Sequence, residues 1–457
     1  MTFSLDEINT TLGLINWNNA IEEKLLFQTI SIDSRTISPN DLFIAIKGDK
    51  FDGHNFLMQV INNGVKAIVI GKGFQNLVPE NYPYWMVPDT LNAFQNLALL
   101  KRRKLNIPVI GITGSVGKTT TKEITGEVLR SLGKIKISPK NYNNEIGVGS
   151  TILSCDKKDK SLVLEMGMRG IGQIESLSKF SEPDIAVITN IGSAHIGLLG
   201  SKENIAKAKC EITKYLNPKG IVIIPSGDYL LESVLKSFWK GKVIRVKILN
   251  IKKINKINKS IENLIIGFYD QLNNLIKIDN KTFETPLKGQ HNAMNFLYAY
   301  AISKELGIQF GCHTVLNLRR IEGRNNIIKT NKLILMDETY NASPESVKAC
   351  LKVLMEFPGN HFFVFGSMKE LGVDTFRFHK EIIDLINKND IERCVFLCDY
   401  DLEIKLKKYC ELRKKIEFIT SFKEISLKIN KWASKGDSLL LKGSRSWQLE
   451  KLIPLIK

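Results

Sequence analysis

The chain has 457 residues, 43% hydrophobic and 25% charged, which is ordinary for soluble globular protein and long enough for roughly two to four cores. No apolar run approaches the roughly 18 residues that span a bilayer, and Met1–Thr10, with Asp6 and Glu7, lacks a basic-then-apolar leader, so a cytoplasmic protein without membrane insertion is expected. The net charge of +18 comes from lysines spread along the chain without interleaved aromatics, a pattern that argues against nucleic acid and suits polyanionic small molecules.

Residues 1–105 begin with short strands, Leu42–Lys47 and Lys66–Ile70, and a helix, Thr90–Leu105, that ends before Pro108 as the residue preceding proline requires. Residues 106–312 alternate strands (Ile107–Thr113, Ser161–Met166, Asp184–Asn190, Gly220–Pro225) with helices (Lys118–Leu132, Lys202–Leu216, Asn292–Leu306). Such alternation predicts a parallel sheet covered on both faces. The lysine- and asparagine-rich stretch 250–260 reads as a solvated loop or a polar hairpin edge. Residues 313–457 alternate again: strands at Lys332–Asp337, His361–Gly366, Arg393–Leu397 and Ser438–Lys442, helices at Glu345–Phe357, Phe376–Lys388, Phe422–Trp432 and Ser446–Leu452. The expected fold is therefore α/β in three domains: a small N-terminal unit, a central parallel-sheet unit and a C-terminal open, Rossmann-like unit. Seven scattered cysteines with no C-x-x-C pair argue against a zinc site or a disulfide framework.

The run Gly111-Ile-Thr-Gly-Ser-Val-Gly-Lys-Thr-Thr120 carries the chemistry. A strand, a glycine-rich turn and a helix start build a phosphate cradle. Glycines let backbone N–H groups of the loop, Gly114, Ser115, Val116 and Gly117, turn inward where a phosphate binds, Lys118 would reach the outer phosphates, and Thr119 and Thr120 follow, the Thr119 hydroxyl being suited to Mg²⁺. Ile112 stands where the common pattern has its first glycine. ATP is the expected cofactor.

Polar residues gather at predicted strand ends, the edge where open α/β sheets bind ligands. Glu165 ends one strand and could hold Mg²⁺ beside Thr119, or could be a capping or surface acid. His195, in Ile191-Gly-Ser-Ala-His-Ile-Gly197, is a second-metal candidate on the same edge; alone, such a histidine is more often structural. Lys209 and Lys207 read from physics as solvated helix lysines. Asn292 and Asn295 share a helix face and could read a purine edge, or could simply cap the helix. Arg324 suits phosphate, and Asp337 at a strand end suits ribose hydroxyls.

The set Thr113–Thr120, Glu165-Met-Gly167, Asn190–Gly197, Ala208-Lys-Cys-Glu211, His291–Asn295, Gly323-Arg324 and Asp337–Pro344 resembles, in order, the Mur ligases of bacterial cell-wall synthesis. Asp33-Ser-Arg35, Asp41–Gly48 and Asp52-Gly-His54 are similar to that family's uridine-diphosphate-sugar domain. Tyr340-Asn-Ala-Ser-Pro344 is similar to the signature of its last cytoplasmic member, the one that adds D-alanyl-D-alanine.

The resemblance implies an ATP-dependent amide ligase acting through an acyl phosphate, with UDP-N-acetylmuramoyl-tripeptide and D-alanyl-D-alanine as substrates and a monomeric enzyme. It implies one Mg²⁺ on Thr119 and Glu165 and a second on His195 and Lys209, the lysine being carbamylated because an ammonium cannot ligate a cation. It implies that Asn292, Asn295, Arg324 and Asp337 frame the nucleotide. Asp33, Ser34 and Arg35 would line the uridine pocket. Asn141 and Asn144 would face the same substrate, with Tyr340 and Asn341 nearby. Lys442 and Arg445 would close the third domain over the site, or are a basic strand end. Cys210, Gly149 and Ser150 depart from the family's usual residues at positions that supply no catalytic atom. Another ligase of the superfamily, such as folylpolyglutamate synthase or the ligase adding the third peptide residue, is the nearest rival; a regulatory P-loop ATPase is the rival from another class.

Overall fold

The computed structural model describes residues 2–16, 25–48, 51–252, 263–308, 311, 318, 321–410 and 415–456. Most of the polar stretch 250–260 and the expected domain boundary at 312/313 fall outside them.

The central sheet has nine strands in the order Lys281–Glu284, Leu275–Ile278, Leu264–Asp270, Lys242–Asn250, Ile221–Pro225, Ile185–Ile188, Val109–Thr113, Asp159–Glu165, Lys134–Ile137. The seven from Leu264–Asp270 to Lys134–Ile137 pair in parallel. Val109–Thr113 and Ile185–Ile188 are buried at every residue, as a parallel sheet covered on both faces demands. From Val109–Thr113 the chain first builds outward on one side, then returns to lay Ile185–Ile188 on the other. The phosphate loop thus sits at the topological switch point, where such sheets open a crevice. The antiparallel strands Leu275–Ile278 and Lys281–Glu284 were not anticipated, nor were the helices Glu145–Leu153, Gln173–Ser181 and Tyr229–Phe238.

The N-terminal unit is a four-stranded parallel sheet, Ile30–Ser31, Leu42–Ile44, Ala67–Gly71 and Tyr84–Val87. Its last helix, Thr90–Lys104, is capped by the Asp89 carboxylate, which accepts from the N–H groups of Leu91 and Asn92. That helix buries Phe94, Leu97 and Ala98 and packs on Glu145–Leu153 and Gln173–Ser181 of the central unit. Gly149 is small for a local reason: a Cβ there would stand 2.4 Å from Cε1 of Phe94.

The C-terminal sheet runs Asn326–Lys329, Leu333–Glu338, Asp437–Lys442, His361–Gly366, Ile391–Leu397, Ile416–Phe418, with only the first pairing antiparallel. The helix expected over Ser446–Leu452 is instead two 3₁₀ segments, Arg445–Trp447 and Leu449–Leu455. Gln448, at φ 51°, breaks the run, and Pro454 denies the second segment a backbone donor. Tyr400–Cys410 is a further helix that the reading of strands and helices in this unit did not include.

Candidate active site

The loop after Val109–Thr113 is shaped by two glycines. A Cβ on Gly114 would lie 1.9 Å from Thr189 Oγ1, and one on Gly117, at φ 86°, would lie 2.7 Å from Asn295 Oδ1. The neighbouring strand end pins the loop. Val116 N–H donates to Asn190 Oδ1 at 3.0 Å, Ser115 N–H donates to the Asn190 carbonyl at 3.2 Å, and Thr189 Oγ1 donates to the Val116 carbonyl at 2.6 Å. Lys118 curls back so that Nζ donates to the Gly114 carbonyl at 2.7 Å. Burial pulls its pKa down to about 8, with Arg324 adding repulsion against the attraction of Glu165. A phosphate would replace the carbonyl as partner and restore the charge.

Glu165, at the end of Asp159–Glu165, is buried and fully engaged. Oε2 accepts from Thr119 Oγ1 at 2.8 Å, and Oε1 accepts from Asn143 Nδ2 at 2.9 Å. Burial alone would raise its pKa, but Lys122, Arg324, Lys118 and the Asn143 bond outweigh burial and hold the carboxylate below its ordinary value. Sequence reasoning missed Lys122. Its Nζ lies 3.6 Å from Glu165 Oε2 and donates to the carbonyls of Ser138 at 2.8 Å and Lys140 at 3.0 Å. It therefore ties the phosphate-loop helix to the asparagine turn. The only signal was its place one helical turn after Lys118. In that turn Asn143 is the residue on the carboxylate, while Asn144 caps the next helix by accepting from Gly147 N–H at 2.9 Å.

Lys209 is 2% exposed, on Lys202–Cys210, and its pKa falls well below the ordinary lysine value through burial and then the Lys118 charge. Lys207 behaves as a solvated helix lysine, paired with Glu203 at 2.8 Å. His195 holds a left-handed backbone at φ 66° and shares a hydrogen bond of 2.5 Å between Nδ1 and Glu370 Oε2. Burial lowers its pKa, and repulsion from Lys118 and Lys209 adds to that against the pull of Glu370. Both lysines are thus felt at the same histidine, on the same sheet edge.

A cavity of about 1080 Å³ joins these parts. Its wall runs from Ser115–Lys118 and Thr120 past Glu165 and His195, and includes Asn141 and Asn144 on one side and Arg324, Tyr340, Asn341 and Lys442 on the other. Thr119, 4% exposed, and Lys209 are buried rather than part of that wall. Asn292 and Asn295 line it too; Asn295 Nδ2 donates to Asn292 Oδ1 at 3.2 Å, and Asn292 Nδ2 donates to Asn325 Oδ1 at 2.9 Å. Arg324 stacks on the Tyr340 ring at 4.0 Å. Lys442 is buried, donates to the Asn341 carbonyl at 3.1 Å and lies 3.8 Å from Glu338 Oε2.

Other expected residues stand elsewhere. The Asp337 carboxylate accepts from Asn326 Nδ2 at 3.1 Å and Thr339 Oγ1 at 2.7 Å, and it is Glu338, its neighbour, that lines the cavity. Arg445 is exposed and pairs with Glu450 at 2.9 Å. Arg35 pairs with Asp33 at 2.7 Å on the N-terminal unit; with Ser34 they lie outside the cavity wall, and Arg35 is close enough to Tyr142 to feel it.

Among the described residues no three His, Cys, Asp or Glu side chains converge as a metal site. A cation here would need a hydroxyl, one carboxylate and phosphate oxygens. The contact of Thr119 Oγ1 with Glu165 beside the phosphate loop fits such a hard ion.

Residues 112–303 match the Mur ligase middle domain, residues 323–445 the glutamate ligase domain of Mur ligases, and residues 27–112 the catalytic domain of the Mur ligase family. A three-domain α/β chain with a phosphate cradle at its switch point belongs to that class: this protein is a member of the Mur ligase family. Its relatives carry a more particular name. The UDP-N-acetylmuramoyl-tripeptide–D-alanyl-D-alanine ligases of Synechocystis and Bacillus subtilis are 37% and 34% identical, over 83% and 94% of this chain and 81% and 93% of their own lengths. Among solved structures, MurF from Acinetobacter baumannii superposes with a TM-score of 0.85 over 99% of this chain and 98% of its own, at 26% identity. MurF from Thermotoga maritima, in complex with ADP, gives 0.80 at 27% identity over 93% and 96%.

Proposed function

We propose that the protein joins D-alanyl-D-alanine to UDP-N-acetylmuramoyl-tripeptide at the expense of ATP, forming ADP and phosphate. The observation that carries this reading is the single cavity that runs from the phosphate loop to the asparagine turn, so that a nucleotide and an acid can share one space. The relatives' names supply the substrates.

A carboxylate is a poor acyl donor because its oxide will not leave. The terminal carboxylate of the tripeptide attacks the γ-phosphorus, ADP departs, and an acyl phosphate remains. The amine of D-alanyl-D-alanine adds to the acyl carbon, and the tetrahedral adduct expels phosphate and loses a proton. Catalysis of phosphoryl transfer is mostly positioning and charge neutralisation. Lys118 and Arg324 supply positive charge, and the Asn143–Glu165–Thr119 chain fixes the loop. No side-chain nucleophile is needed. Mg²⁺, when bound, would reduce the repulsion between phosphate and carboxylate. Thr119 with Glu165 would hold one ion, and His195 with Lys209 a second.

Lys209 would serve as a carbamate: its neutral Nζ adds to CO₂ and releases a proton, leaving two anionic oxygens. The lowered pKa supports that reading, since only the free amine reacts. Lys442 and Tyr340, on the cavity wall, would meet the incoming dipeptide. The enzyme is read as a monomer, and soluble nucleotide substrates support a cytoplasmic reaction. Incubation with ATP, D-alanyl-D-alanine and either the lysine or the diaminopimelate tripeptide, followed by mass spectrometry, tests the proposal. Absence of a pentapeptide product with both would overturn it.

A further inference from the structure

The turn bearing His195 is met by a loop of the C-terminal unit. Gly197 N–H donates to the Glu370 carbonyl at 2.9 Å, and the Glu370 carboxylate takes His195 Nδ1. Arg169, on the cavity wall, lies 4.0 Å from the other carboxylate oxygen. The two backbones touch through glycine: a Cβ on Gly197 would stand 2.5 Å from Gly372 N, and one on Gly372 would stand 2.8 Å from Gly197 Cα. His195 and Glu370 both hold left-handed backbones, at φ 66° and 61°. Non-glycine residues hold such conformations only when their surroundings over-determine them, and here the two strained residues face each other across a domain boundary.

We propose that Glu370 is a positioning residue for the second cation: docking of the C-terminal unit fixes the His195 ring with Nδ1–H on the Glu370 carboxylate and leaves Nε2 as the ligating nitrogen. A histidine that donates its other nitrogen to a carboxylate is oriented, held in one tautomer and made a better ligand. Because Glu370 arrives with the other domain, the site is complete only when the domains are docked. Linkage then runs both ways: docking raises cation affinity at His195, and a cation there favours docking. The inference rests on the proposed role of His195 as a cation ligand.

The test titrates Mn²⁺ into the full-length protein with saturating ATP and no peptide substrate, following free Mn²⁺ by electron paramagnetic resonance. Wild type, His195→Ala, Glu370→Ala and Glu370→Gln are compared. Glu370→Ala is expected to weaken the second Mn²⁺ by about 10- to 100-fold and to leave the first unchanged, with part of the loss recovered in Glu370→Gln, which keeps an acceptor oxygen. Nitrogen-15 spectra of histidine-labelled protein without metal should show His195 as the Nδ1–H tautomer, and Glu370→Ala should lose that preference. A weakened second site in His195→Ala with less than about a twofold change in Glu370→Ala overturns the inference and leaves the role of His195 standing. An unchanged second site in both variants overturns the two together.

Discussion

The two domain junctions of this molecule are built differently. Where the N-terminal unit meets the central one, the contact is an apolar seam. Phe94, Leu97 and Ala98 pack onto two central helices, and the Arg102 guanidinium donates to the Ser181 and Glu182 carbonyls and to Asp184 Oδ2, each at 2.9 Å. Where the central unit meets the C-terminal one, the links include polar ones beside a large cavity: Ser193 N–H on Glu345 Oε1 at 2.8 Å, Gly197 N–H and His195 on Glu370, Asn292 Nδ2 on Asn325 Oδ1 at 2.9 Å, and an exposed Gln271–Glu356 bond of 2.7 Å. Close packing resists separation, whereas polar groups beside a cavity exchange partners with water at little cost. Such packing suits a fixed mount at the first junction, and polar links beside a cavity suit opening and the exclusion of water at the second.

Substitutions should separate the two. The largest effect is expected at the cavity: Lys209→Ala should lower kcat/KM by about 10³-fold while the unfolding midpoint holds, and short carboxylic acids should restore part of the rate. Ligation at the wild-type rate would remove the carbamate from the mechanism. The converse change is Leu97→Ala in the apolar seam. It should cost about 3 kcal/mol of stability in denaturant titration while the folded fraction keeps its kcat. A comparable loss of kcat would mean that the seam, too, moves during turnover.

Lys118 provides a pH test of the cavity. Its pKa is lowered to about 8 in the free protein, so the amine is largely neutral at higher pH, and a bound phosphate would favour the charged form. Nucleotide binding should therefore take up close to one proton at about pH 9 and far less at about pH 7, by calorimetry in buffers of different ionisation enthalpy. Equal uptake at both would show that Lys118 stays charged when empty. The smallest effect is expected at the rim of the second junction: Gln271→Ala should alter stability by less than about 0.5 kcal/mol.

Much of the site was legible because it is local. A glycine-rich turn between strand and helix must cradle something, and Glu165 at a strand end must face that edge. Lys122 escaped notice because its partners, the Ser138 and Lys140 carbonyls, become neighbours only when the strand Lys134–Ile137 is laid beside Asp159–Glu165. Asp337 was expected at the nucleotide because it ends a strand, but successive strand residues point to opposite faces, and the pairing with Asn326 turned it away and Glu338 inward. The antiparallel strands Leu275–Ile278 and Lys281–Glu284 were hidden because each is only four residues long, too short to show an alternation.

The order of residues by itself determined the phosphate loop, the three-part alternation of strands and helices and the charge of the groups at the strand ends, since these depend on neighbours in the chain. Only the tertiary structure decided that Asn143 and Lys122 join Thr119 at the Glu165 carboxylate, that Lys209 is buried beside another lysine's field, and that Glu370 of a different domain takes the ring of His195. Those facts come from burial and long-range approach, which sum contacts over the whole chain and leave no periodicity in any one segment.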